Sequence, residues 1–555
     1  MIPSPNFGGG IFYIVSMKNF CFLFVLIVFI TCQSNGQNYQ INWQNCFGGS
    51  DGDYAYDIVK NADGGYMIIG RTASDDGDIS YNHGAHDVWL VKTDNTGNML
   101  WERTYGGSLG ETGYGILKKN DNAYYILAAT NSTDGDISYN PYPNSVSYWI
   151  IKIDSVGEII WERIYGGDTG PDYVQTGIVT DDGGLVAFGF TGSWDGDVSE
   201  FFGFYDWWML KLDSLGNKEW DRSFGSTNAD YGMAIIQTTD GGYLLGGSAR
   251  VMEVGNIQCE SYHEDGDAVI IKLDALGNVL WQQCYGGSED EFVSAFFETE
   301  SGFLVLANTE SADGDVTGFH GFPGLGDYDI WLLEIDFSGN LIWQKCLGGT
   351  DSESAKNIFP TQNGGYQIIG NTSSNDGDVS GNHSINERRD IWIVEIDSIG
   401  NILKQQCIGG AGGEIVWHGV HKHNDHHFVI AAETQGGPSY DVTCDFFNLG
   451  GRPRYWVFEI SDSTVGVHEQ RQEENRLLIF PNPAGDEINC QLSIVNCQLS
   501  MFIYDLYGRK QDEIIIPKGQ EQIRIDVSGY PAGVYMAILK DDKEVVARGK
   551  FVKTR

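Results

Sequence analysis

The most regular feature of this sequence is a set of short apolar segments that recurs about every 60 residues. Its clearest marker is a tryptophan repeated at intervals of 58 to 62 residues, at Trp43, Trp101, Trp161, Trp220, Trp281 and Trp343. Lys404 takes the seventh position, between the apolar pair Ile402-Leu403 and Gln405. A fixed period of this length is typical of repeat architectures in which each unit packs against its neighbours.

Each repeat contains four segments with the alternation or the short apolar runs of β-strands. In the first repeat we predict strand A at 55–60, strand B at 65–71, strand C at 87–92 and strand D at 99–104. A glycine-containing hairpin, Asp94–Asn98, joins strands C and D, because glycine supplies the positive φ that tight turns need. Four antiparallel strands in about 60 residues are typical of a β-propeller blade.

The two ends of the repeat region predict how the propeller closes. Residues 39–47 form a D strand with no A, B or C strand before it. The last repeat supplies strands A (414–422), B (427–433) and C (454–460), but no D strand follows. Pairing these two ends completes a seventh blade and removes the open edges that invite aggregation. We therefore predict an all-β, seven-bladed β-propeller of four-stranded blades.

Two sets of side chains are predicted to lie inside this fold. A tryptophan recurs in strand C, at Trp89, Trp149, Trp208, Trp331, Trp392 and Trp456. We interpret this row as packing between blades and not as a sugar-binding face. Cysteines also recur at one repeat position, at Cys46, Cys284, Cys346 and Cys407. Because equivalent positions in different blades lie too far apart to bridge, we predict that these four are buried thiols. The pairing of Cys490 with Cys497 stays open.

The N-terminus has the pattern of a signal peptide. Lys18 precedes an apolar run from Phe20 to Ile30, which is too short to span a bilayer comfortably. We predict a signal peptide over 1–36, with Met17 as an alternative start. Cys32 raises the alternative of a lipoprotein, which the preceding residues fit poorly. No later segment is long and apolar enough to predict a transmembrane helix.

The C-terminal residues depart from the repeat and carry an ordered set of motifs. These are Ile479-Phe480-Pro481-Asn482-Pro483-Ala484, Ile503-Tyr504-Asp505-Leu506-Tyr507-Gly508-Arg509, Pro531-Ala532-Gly533-Val534-Tyr535 and Lys550-Phe551-Val552-Lys553. The region resembles the type A C-terminal sorting domain of type IX secretion in Bacteroidota. The resemblance implies a small Ig-like β-sandwich, a partnership with the type IX machinery, and export followed by removal of the domain. The exported protein is then either released or attached to surface lipopolysaccharide.

These features give four segments in order along the chain. We predict a signal peptide at 1–36, a propeller at 37–461, a linker at 462–476 and the sorting domain at 477–555. The protein is therefore expected to be secreted or to lie on the outer cell surface, and we expect a monomer. Its net charge of −42, from 76 acidic and 34 basic residues, excludes nucleic acid as a plausible partner.

An Asp-Gly-Asp motif, followed by Ile or Val and then Ser or Thr, recurs in five of the loops between strands B and C. Its carboxylates are Asp76, Asp78, Asp134, Asp136, Asp195, Asp197, Asp313, Asp315, Asp376 and Asp378. Closely spaced carboxylates in a tight loop can hold Ca²⁺, the one cofactor the sequence suggests. The alternative is a turn, because Asp and Gly favour turns by themselves. Blade four has the motif displaced to Asp265–Asp267, and blade seven lacks it.

A second candidate site is a run of histidines in the last repeat, at His418, His421, His423, His426 and His427. His421 and His423 are predicted to share one face of a strand. Transition-metal binding is one hypothesis for these residues, although their spacing matches no zinc motif. The sequence shows no Walker loop, no HExxH motif and no nucleophile elbow.

The sequence favours a non-enzymatic binding or structural module whose ligand is a polysaccharide or a protein. One alternative is an extracellular glycan-active enzyme, because such enzymes need only two suitably placed carboxylates. Its site is then expected in the non-repeated loops 251–264, 318–328 and 434–453. These loops carry aromatic residues, namely Phe319, Phe322, Tyr440, Phe446 and Phe447. The other alternative is a structural surface protein stabilised by calcium.

Overall fold

The computed structural model describes most of the repeat region and parts of the C-terminal region. The described residues are 38–120, 122–250, 254–259, 266–384, 388–444, 452–462, 475–476, 478–480, 484–491, 499–505, 509–518, 522–540 and 545–554. The chain divides into two compact units, Met1–Thr464 and Val465–Arg555. The predicted signal peptide lies outside the described residues, as does most of the predicted linker.

The secondary structure of the described residues is entirely β, as predicted. Among them, no helix has the length and apolar character needed to cross a membrane. In the first repeat, strands A to D are β2 (Asp53–Lys60), β3 (Tyr66–Thr72), β4 (Asp87–Thr93) and β5 (Met99–Tyr105). They differ from the predicted strands by no more than two residues at either end. The N-terminal strand β1 spans Tyr39–Phe47.

The later repeats give the same four strands. Those of the second to fourth repeats are β6 (Glu111–Asn120), β7 (Ala123–Thr130), β8 (Ser147–Asp154), β9 (Ile159–Tyr165), β10 (Asp172–Val179), β11 (Leu185–Thr191), β12 (Asp206–Leu212), β13 (Lys218–Phe224), β14 (Tyr231–Gln237), β15 (Tyr243–Ala249), β16 (Asp267–Leu273) and β17 (Val279–Tyr285). Those of the fifth to seventh are β18 (Glu291–Glu298), β19 (Gly302–Thr309), β20 (Asp329–Asp336), β21 (Leu341–Leu347), β22 (Glu353–Pro360), β23 (Tyr366–Thr372), β24 (Asp390–Ile396), β25 (Ile402–Ile408), β26 (Glu414–Asn424), β27 (His427–Thr434) and β28 (Arg454–Asp462).

These strands form seven four-stranded antiparallel sheets within the described part of the repeat region, and we call each sheet a blade. In six blades the four strands are consecutive in the chain. The A strands of successive blades contact one another from β2 to β26, and β26 contacts β2. The blades therefore form a closed ring, and the A strands line its central channel.

The ring closes as the sequence predicts. Strand β1 pairs antiparallel with β28, in a register that runs from Tyr39 opposite Asp462 to Phe47 opposite Tyr455. The seventh sheet therefore has the order β1-β28-β27-β26, with its outer strand supplied by the N-terminal part of the repeat region.

The interior of the propeller lies between adjacent blades. Strands B and C are buried on both faces, as in β4, where only Lys92 is partly exposed. The strand C tryptophans named above are fully buried, which confirms that they are core residues. Close packing also explains Gly70 in β3, because a Cβ there would lie 1.8 Å from the backbone oxygen of Tyr54.

The cysteine prediction is wrong for two of the four repeated positions. Cys46 forms a disulfide with Cys444, and Cys284 forms one with Cys259, with Cα atoms 6.0 and 5.6 Å apart respectively. Equivalent positions in different blades indeed do not pair with each other. Each bonded cysteine instead pairs with one from the non-repeated loop of its own blade. Cys346, Cys407 and Cys490 are buried free thiols, and Cys497 lies outside the described residues.

The C-terminal unit is a small two-sheet β-structure. One sheet contains β29 (Asn475–Arg476), β32 (Leu499–Asp505), β33 (Lys510–Ile516), β35 (Gly533–Lys540) and β36 (Val545–Lys553). The other contains β30 (Leu478–Phe480), β31 (Glu487–Gln491) and β34 (Gln522–Asp526). Residues of both sheets share one apolar core that includes Ile488, Met501 and Phe551.

Candidate functional site

The first aspartate of each Asp-Gly-Asp motif accepts a hydrogen bond from the turn that precedes strand A of its blade. Asp76 Oδ1 accepts a hydrogen bond of 2.6 Å from the backbone N–H of Ser50, which lies in the turn between β1 and β2. The same bond recurs in the other four motifs, from the backbone N–H of Ser108 to Asp134, of Asp168 to Asp195, of Ser288 to Asp313 and of Thr350 to Asp376. The loops before strand A and between strands B and C therefore lie on one face of the propeller, which we call the loop face.

The second aspartate of each motif bonds to the same turn. Asp78 Oδ2 accepts from the Gly48 N–H at 3.0 Å, and Asp136 Oδ2 from the Gly106 N–H at 3.1 Å. Asp197, Asp315 and Asp378 make the corresponding bonds to Gly166, Gly286 and Gly348. These bonds explain the repetition of the motif as a turn-fixing device. Calcium binding by these carboxylates stays a prediction.

Two blades keep this device without the sequence motif. In blade seven, Asp441 accepts from the Gly409 N–H at 3.2 Å, and Ser439 Oγ accepts from the Ala411 N–H. Tyr440 between them adopts a positive φ of 49°, in the place of the motif glycine. In blade four, Asn256 Oδ1 accepts from the Gly225 N–H. Neither could be predicted from the sequence, because different side chains make the same backbone contacts.

A ring of buried carboxylates lies beneath the loop face. An acidic residue of 0% exposure begins strand A in six blades and directly precedes it in blade four. These residues are Asp53, Glu111, Asp172, Asp230, Glu291, Glu353 and Glu414. In six blades a threonine that ends strand B donates to this carboxylate, as Thr72 Oγ1 does to Asp53. Burial raises the pKa of Asp172, Glu291, Glu353 and Glu414 to about 7, against the hydrogen bonds that lower it.

Most of these carboxylates face a second one across the joint between blades. Asp329 begins β20 and Glu353 begins β22. Each has a carboxylate oxygen 2.5 Å from the position that a Cβ atom on Gly348 would occupy, so the two carboxylates meet beside this glycine. Equivalent pairs are Asp87 with Glu111, Asp206 with Asp230, Asp267 with Glu291, and Asp390 with Glu414. The like charge of the partner adds to burial in raising the pKa values of Glu111, Asp206, Glu291, Glu353 and Glu414.

The remaining two joints lack the second carboxylate. Arg454 takes its place where blade seven meets blade one, and its Nη1 lies 3.2 Å from Asp53 Oδ2. Ser147 takes its place between blades two and three. The Arg454 joint shows that a positive charge fits this position.

Three histidines connect the buried pairs to the motif aspartates. His83 Nδ1 lies 2.6 Å from Asp87 Oδ2, and its Nε2 lies 3.7 Å from Asp136 Oδ2 in the next blade. His320 bridges Asp329 and Asp378 in the same way. His383 uses one nitrogen, with Nδ1 2.9 Å from Asp390 and 3.9 Å from Asp441, which takes the place of a motif aspartate in blade seven. These residues were not predicted from the sequence. The one signal was that His83 and His383 both follow an asparagine in the loop between strands B and C of their blades.

The side chains on the wall of the central channel differ from blade to blade. Every A strand has a β-bulge near its middle, which leaves a residue outside the ladder. In the seven blades the bulge residues are, in order, Tyr56, Tyr114, Gln175, Met233, Ser294, Lys356 and the segment 417–419. Bulges re-aim side chains and are common next to functional sites.

Aromatic rings and cations are concentrated on one side of this wall. The Tyr56 ring lies 5.8 Å from Tyr114 and 5.6 Å from Trp417. Lys356 Nζ lies 4.9 Å above the Trp417 ring. Burial, followed by the nearby charge of Arg389, lowers the pKa of Lys356 to about 8. Neither Lys356 nor Arg389 has an ion-pair partner within 4.0 Å among the described residues.

The wall continues into a cavity at the loop-face mouth of the channel. This cavity has a volume of about 520 Å³, and its lining includes Arg71, His86, Tyr114, Asn131 and Tyr173. The Arg71 guanidinium lies 4.5 Å above the Tyr54 ring, and Arg71 forms no ion pair within the described part of the chain. A pocket of this size, with aromatic walls and a few polar groups, is typical of ligand sites.

The predicted loop aromatics lie apart from this cavity. Phe322 is 62% and Tyr440 68% exposed, whereas Phe319 packs against the core of blade five. Phe446 and Phe447 lie outside the described residues. The histidine run is also divided. His418 lies near Lys356, and both burial and that lysine lower its pKa to about 4. His421, His423 and His427 lie at the opposite end of the blade, where strands A and B meet in a hairpin.

Comparison with known families identifies the C-terminal unit. Residues 478–554 match the family described as "Secretion system C-terminal sorting domain". The C-terminal region is therefore a type IX sorting domain, as its motifs indicate, and the protein is secreted to the cell surface or beyond.

The other comparisons are distant. The regulatory protein FlaEY of Caulobacter vibrioides is 25% identical over 171 residues, which cover 29% of this chain and 17% of that protein. Prolyl oligopeptidase B of Galerina marginata is 10% identical, with a TM-score of 0.36 over 89% of this chain and 57% of that one. The PQQ-bound aldose sugar dehydrogenase of Streptomyces coelicolor is also 10% identical, with a TM-score of 0.33 over 76% of this chain and 98% of that one.

Proposed function

We propose that this protein is an exported binding module without enzymatic activity, whose ligand enters the loop-face mouth of the propeller channel. One observation carries the proposal. The chain has a net charge of −42, yet Arg71, Lys356 and Arg389 gather at the channel and form no ion pair with any described residue. Glu433 and Glu353 attract Arg71 and Arg389 only from beyond 4.0 Å. A ligand that brings an anionic group close to these partly buried cations is therefore favoured.

The side chains of the channel favour an acidic polysaccharide over a neutral one. Tyrosine and tryptophan rings pack against the apolar faces of sugars, and a guanidinium binds a carboxylate or sulfate with two parallel hydrogen bonds. Tyr114 and Arg71 both line the cavity at the mouth, so one saccharide unit can contact both. The surrounding negative surface then excludes anions that lack the sugar contacts.

Replacing the residues of the mouth is expected to weaken binding. We expect Tyr114→Ala and Arg71→Gln each to reduce affinity at least tenfold, or about 1.4 kcal/mol, because each removes a central contact. The measurement is an array of uronic-acid-containing, sulfated and neutral glycans, with affinities for the hits determined by calorimetry. Tyr139→Ala is the matched control, because Tyr139 is 74% exposed in a blade two loop and does not line the cavity. Binding that survives both mouth substitutions would contradict the proposed site.

The same experiment tests the enzymatic alternative. Each glycan that binds is incubated with the protein and examined for shortened products. Binding without product supports the binding module, whereas hydrolysis that is lost in the mouth variants would replace it with a glycan-active enzyme.

A calcium-stabilised structural protein is the second candidate, favoured by the buried carboxylate pairs. Buried oxygens of Asp87, Asp206, Asp329 and Asp390 accept no hydrogen bond from any described group. A cation can neutralise such a pair, as Arg454 does for Asp53. If calcium does so, EDTA lowers the melting temperature at pH 8 by several degrees and added Ca²⁺ restores it. An unchanged melting temperature at pH 8 would exclude calcium.

A further inference from the structure

Three ligand atoms converge where the propeller ring closes. His423 near the end of β26, His427 at the start of β27 and Glu459 in β28 are all half-buried. One ligand atom from each lies within 4.8 Å of the other two. This is the one group of three or more His, Cys, Asp or Glu side chains with that spacing in the part of the chain that the structure describes.

The backbone holds these side chains close together. Asn424 and His427 are paired residues at the tip of the β26–β27 hairpin, which places His423 beside His427. Their rings stack with centroids 4.3 Å apart. Glu459 is the partner of Val429 in the β27–β28 ladder, two residues along the same face from His427. His427 Nε2 lies 2.5 Å from Glu459 Oε1.

Contacts from three further strands support the group. The Tyr66 hydroxyl, from blade one, lies 2.8 Å from His423 Nε2. Asn42 of β1 donates from Nδ2 to Glu459 Oε2 at 3.2 Å. Lys60 of β2 places its Nζ 3.2 Å from His423 Nδ1. Outer contacts of this kind fix the orientation of metal ligands.

Burial and nearby positive charge lower the pKa of two histidines in this hairpin. Burial, then His427, Lys60 and His421, lower the pKa of His423 to about 3. Burial also lowers the pKa of His421 to about 4, with smaller contributions from Lys60, His427 and Lys118.

We propose that His423, His427 and Glu459 form a binding site for a divalent transition metal, with zinc as the expected ion. Two imidazoles and one carboxylate are a ligand set that zinc uses with a fourth position open to water or to another side chain. Magnesium and calcium prefer sites built from oxygen alone. Bound zinc joins β26, β27 and β28 directly and, through Asn42, the N-terminal strand that completes the ring.

Lys60 is the group that opposes this site. Its ammonium lies beside His423, and the positive charge repels a divalent cation. Its long flexible side chain can move away from the imidazole when a metal enters. Removal of this charge is therefore expected to strengthen metal binding, an effect that a purely structural role of the histidines does not produce.

The test uses the exported protein freed of metal by chelation, with Zn²⁺ as the probe in calorimetry and Co²⁺ as the spectroscopic probe. We expect one site whose affinity falls at least tenfold in His427→Ala and in Glu459→Gln, and rises in Lys60→Met. Co²⁺ is expected to give the visible absorption of a tetrahedral site, which His427→Ala abolishes. His426→Ala is the matched control, because His426 is a 47% exposed neighbour outside the group, and it leaves affinity unchanged.

Circular dichroism and melting temperature without metal confirm that each variant folds. If His427→Ala unfolds the protein, Glu459→Gln and Lys60→Met still test the site with opposite expected signs. Zinc binding that is unaffected by both, or no binding below about 100 μM zinc, would overturn the proposal.

Discussion

An Arg454→Ala substitution is expected to destabilise the propeller by about 3–5 kcal/mol, because it leaves a buried carboxylate without its counter-charge. Arg454 is 1% and Asp53 0% exposed, and Arg454 Nη1 also donates to the backbone oxygen of Asp51. The ion pair spans the joint where the ring closes, between the first residue of β28 and the first residue of β2. Chemical denaturation of the variant measures the change in the free energy of unfolding.

The chain supplies a matched control for this experiment two residues away. Arg452 Nη1 lies 2.7 Å from Asp51 Oδ1, but these side chains are 59% and 45% exposed. Arg452→Ala is expected to change stability by less than about 1 kcal/mol, because solvent screens exposed pairs. Asp53→Asn combined with Arg454→Met removes both charges together and is expected to recover much of the loss. Equal losses in Arg452→Ala and Arg454→Ala would contradict a role for burial.

Stability is expected to increase by about 3 kcal/mol when the pH is lowered from 8 to 6.5. Burial raises the pKa of Asp172, Asp206, Glu291, Glu353 and Glu414 in the folded protein to about 7. In the unfolded chain these groups titrate near pH 4. Between the two values the folded state binds more protons, so stability is greatest at the acidic end and is lost as the pH rises through about 7.

Histidines oppose this trend in more acidic solution. The folded-state pKa values of His418 and His421 are lowered to about 4 and that of His423 to about 3, mainly by burial. These groups gain a proton near pH 6.5 only when the chain unfolds, so their contribution is lost as the pH falls from there toward 4. Because five carboxylates oppose three histidines, stability is expected to rise more slowly below pH 6.5 and to reach its maximum near pH 4.

A single substitution separates the carboxylates from the histidines. Glu353→Gln mimics the protonated acid, so we expect it to reduce the loss of stability between pH 6.5 and 8. Glu300→Gln removes the same charge from an exposed position and is expected to leave the pH dependence unchanged. The measurement is the free energy of unfolding across the pH range. Stability that does not change between pH 6.5 and 8 in the natural protein would contradict the role of the buried pairs.

Periodicity in the sequence was sufficient to predict the blades. Alternating apolar residues and glycine turns recur in every repeat, so local patterns place each strand within a few residues. Counting strands at the two ends also predicted the pairing of β1 with β28. The N-terminal end has one strand without a blade, and the last repeat has three strands without a fourth. The sorting domain was identifiable because its motifs are contiguous segments of sequence.

Contacts between residues that are distant in the chain could not be predicted from periodicity. Cys46 and Cys284 form disulfides with cysteines from loops that do not repeat, so the repeat pattern does not predict these partners. In blade seven, Ser439 and Asp441 make the backbone hydrogen bonds that the two aspartates of the Asp-Gly-Asp motif make elsewhere. Different residue types can do this because such a bond needs only an acceptor oxygen in the right place.

The sequence by itself determined the all-β repeat architecture and the sorting address, because both depend on local patterns of residues. It also determined the closure of the ring, because the single strand before the first full repeat is the one that the last repeat lacks. Only the tertiary structure decided which side chains meet across blades. It paired Asp329 with Glu353, gathered Lys356 and Trp417 at the channel, and brought Glu459 to His423 and His427. The physical reason is that these contacts join strands from separate segments of the chain, and their partners share no spacing that a period can reveal.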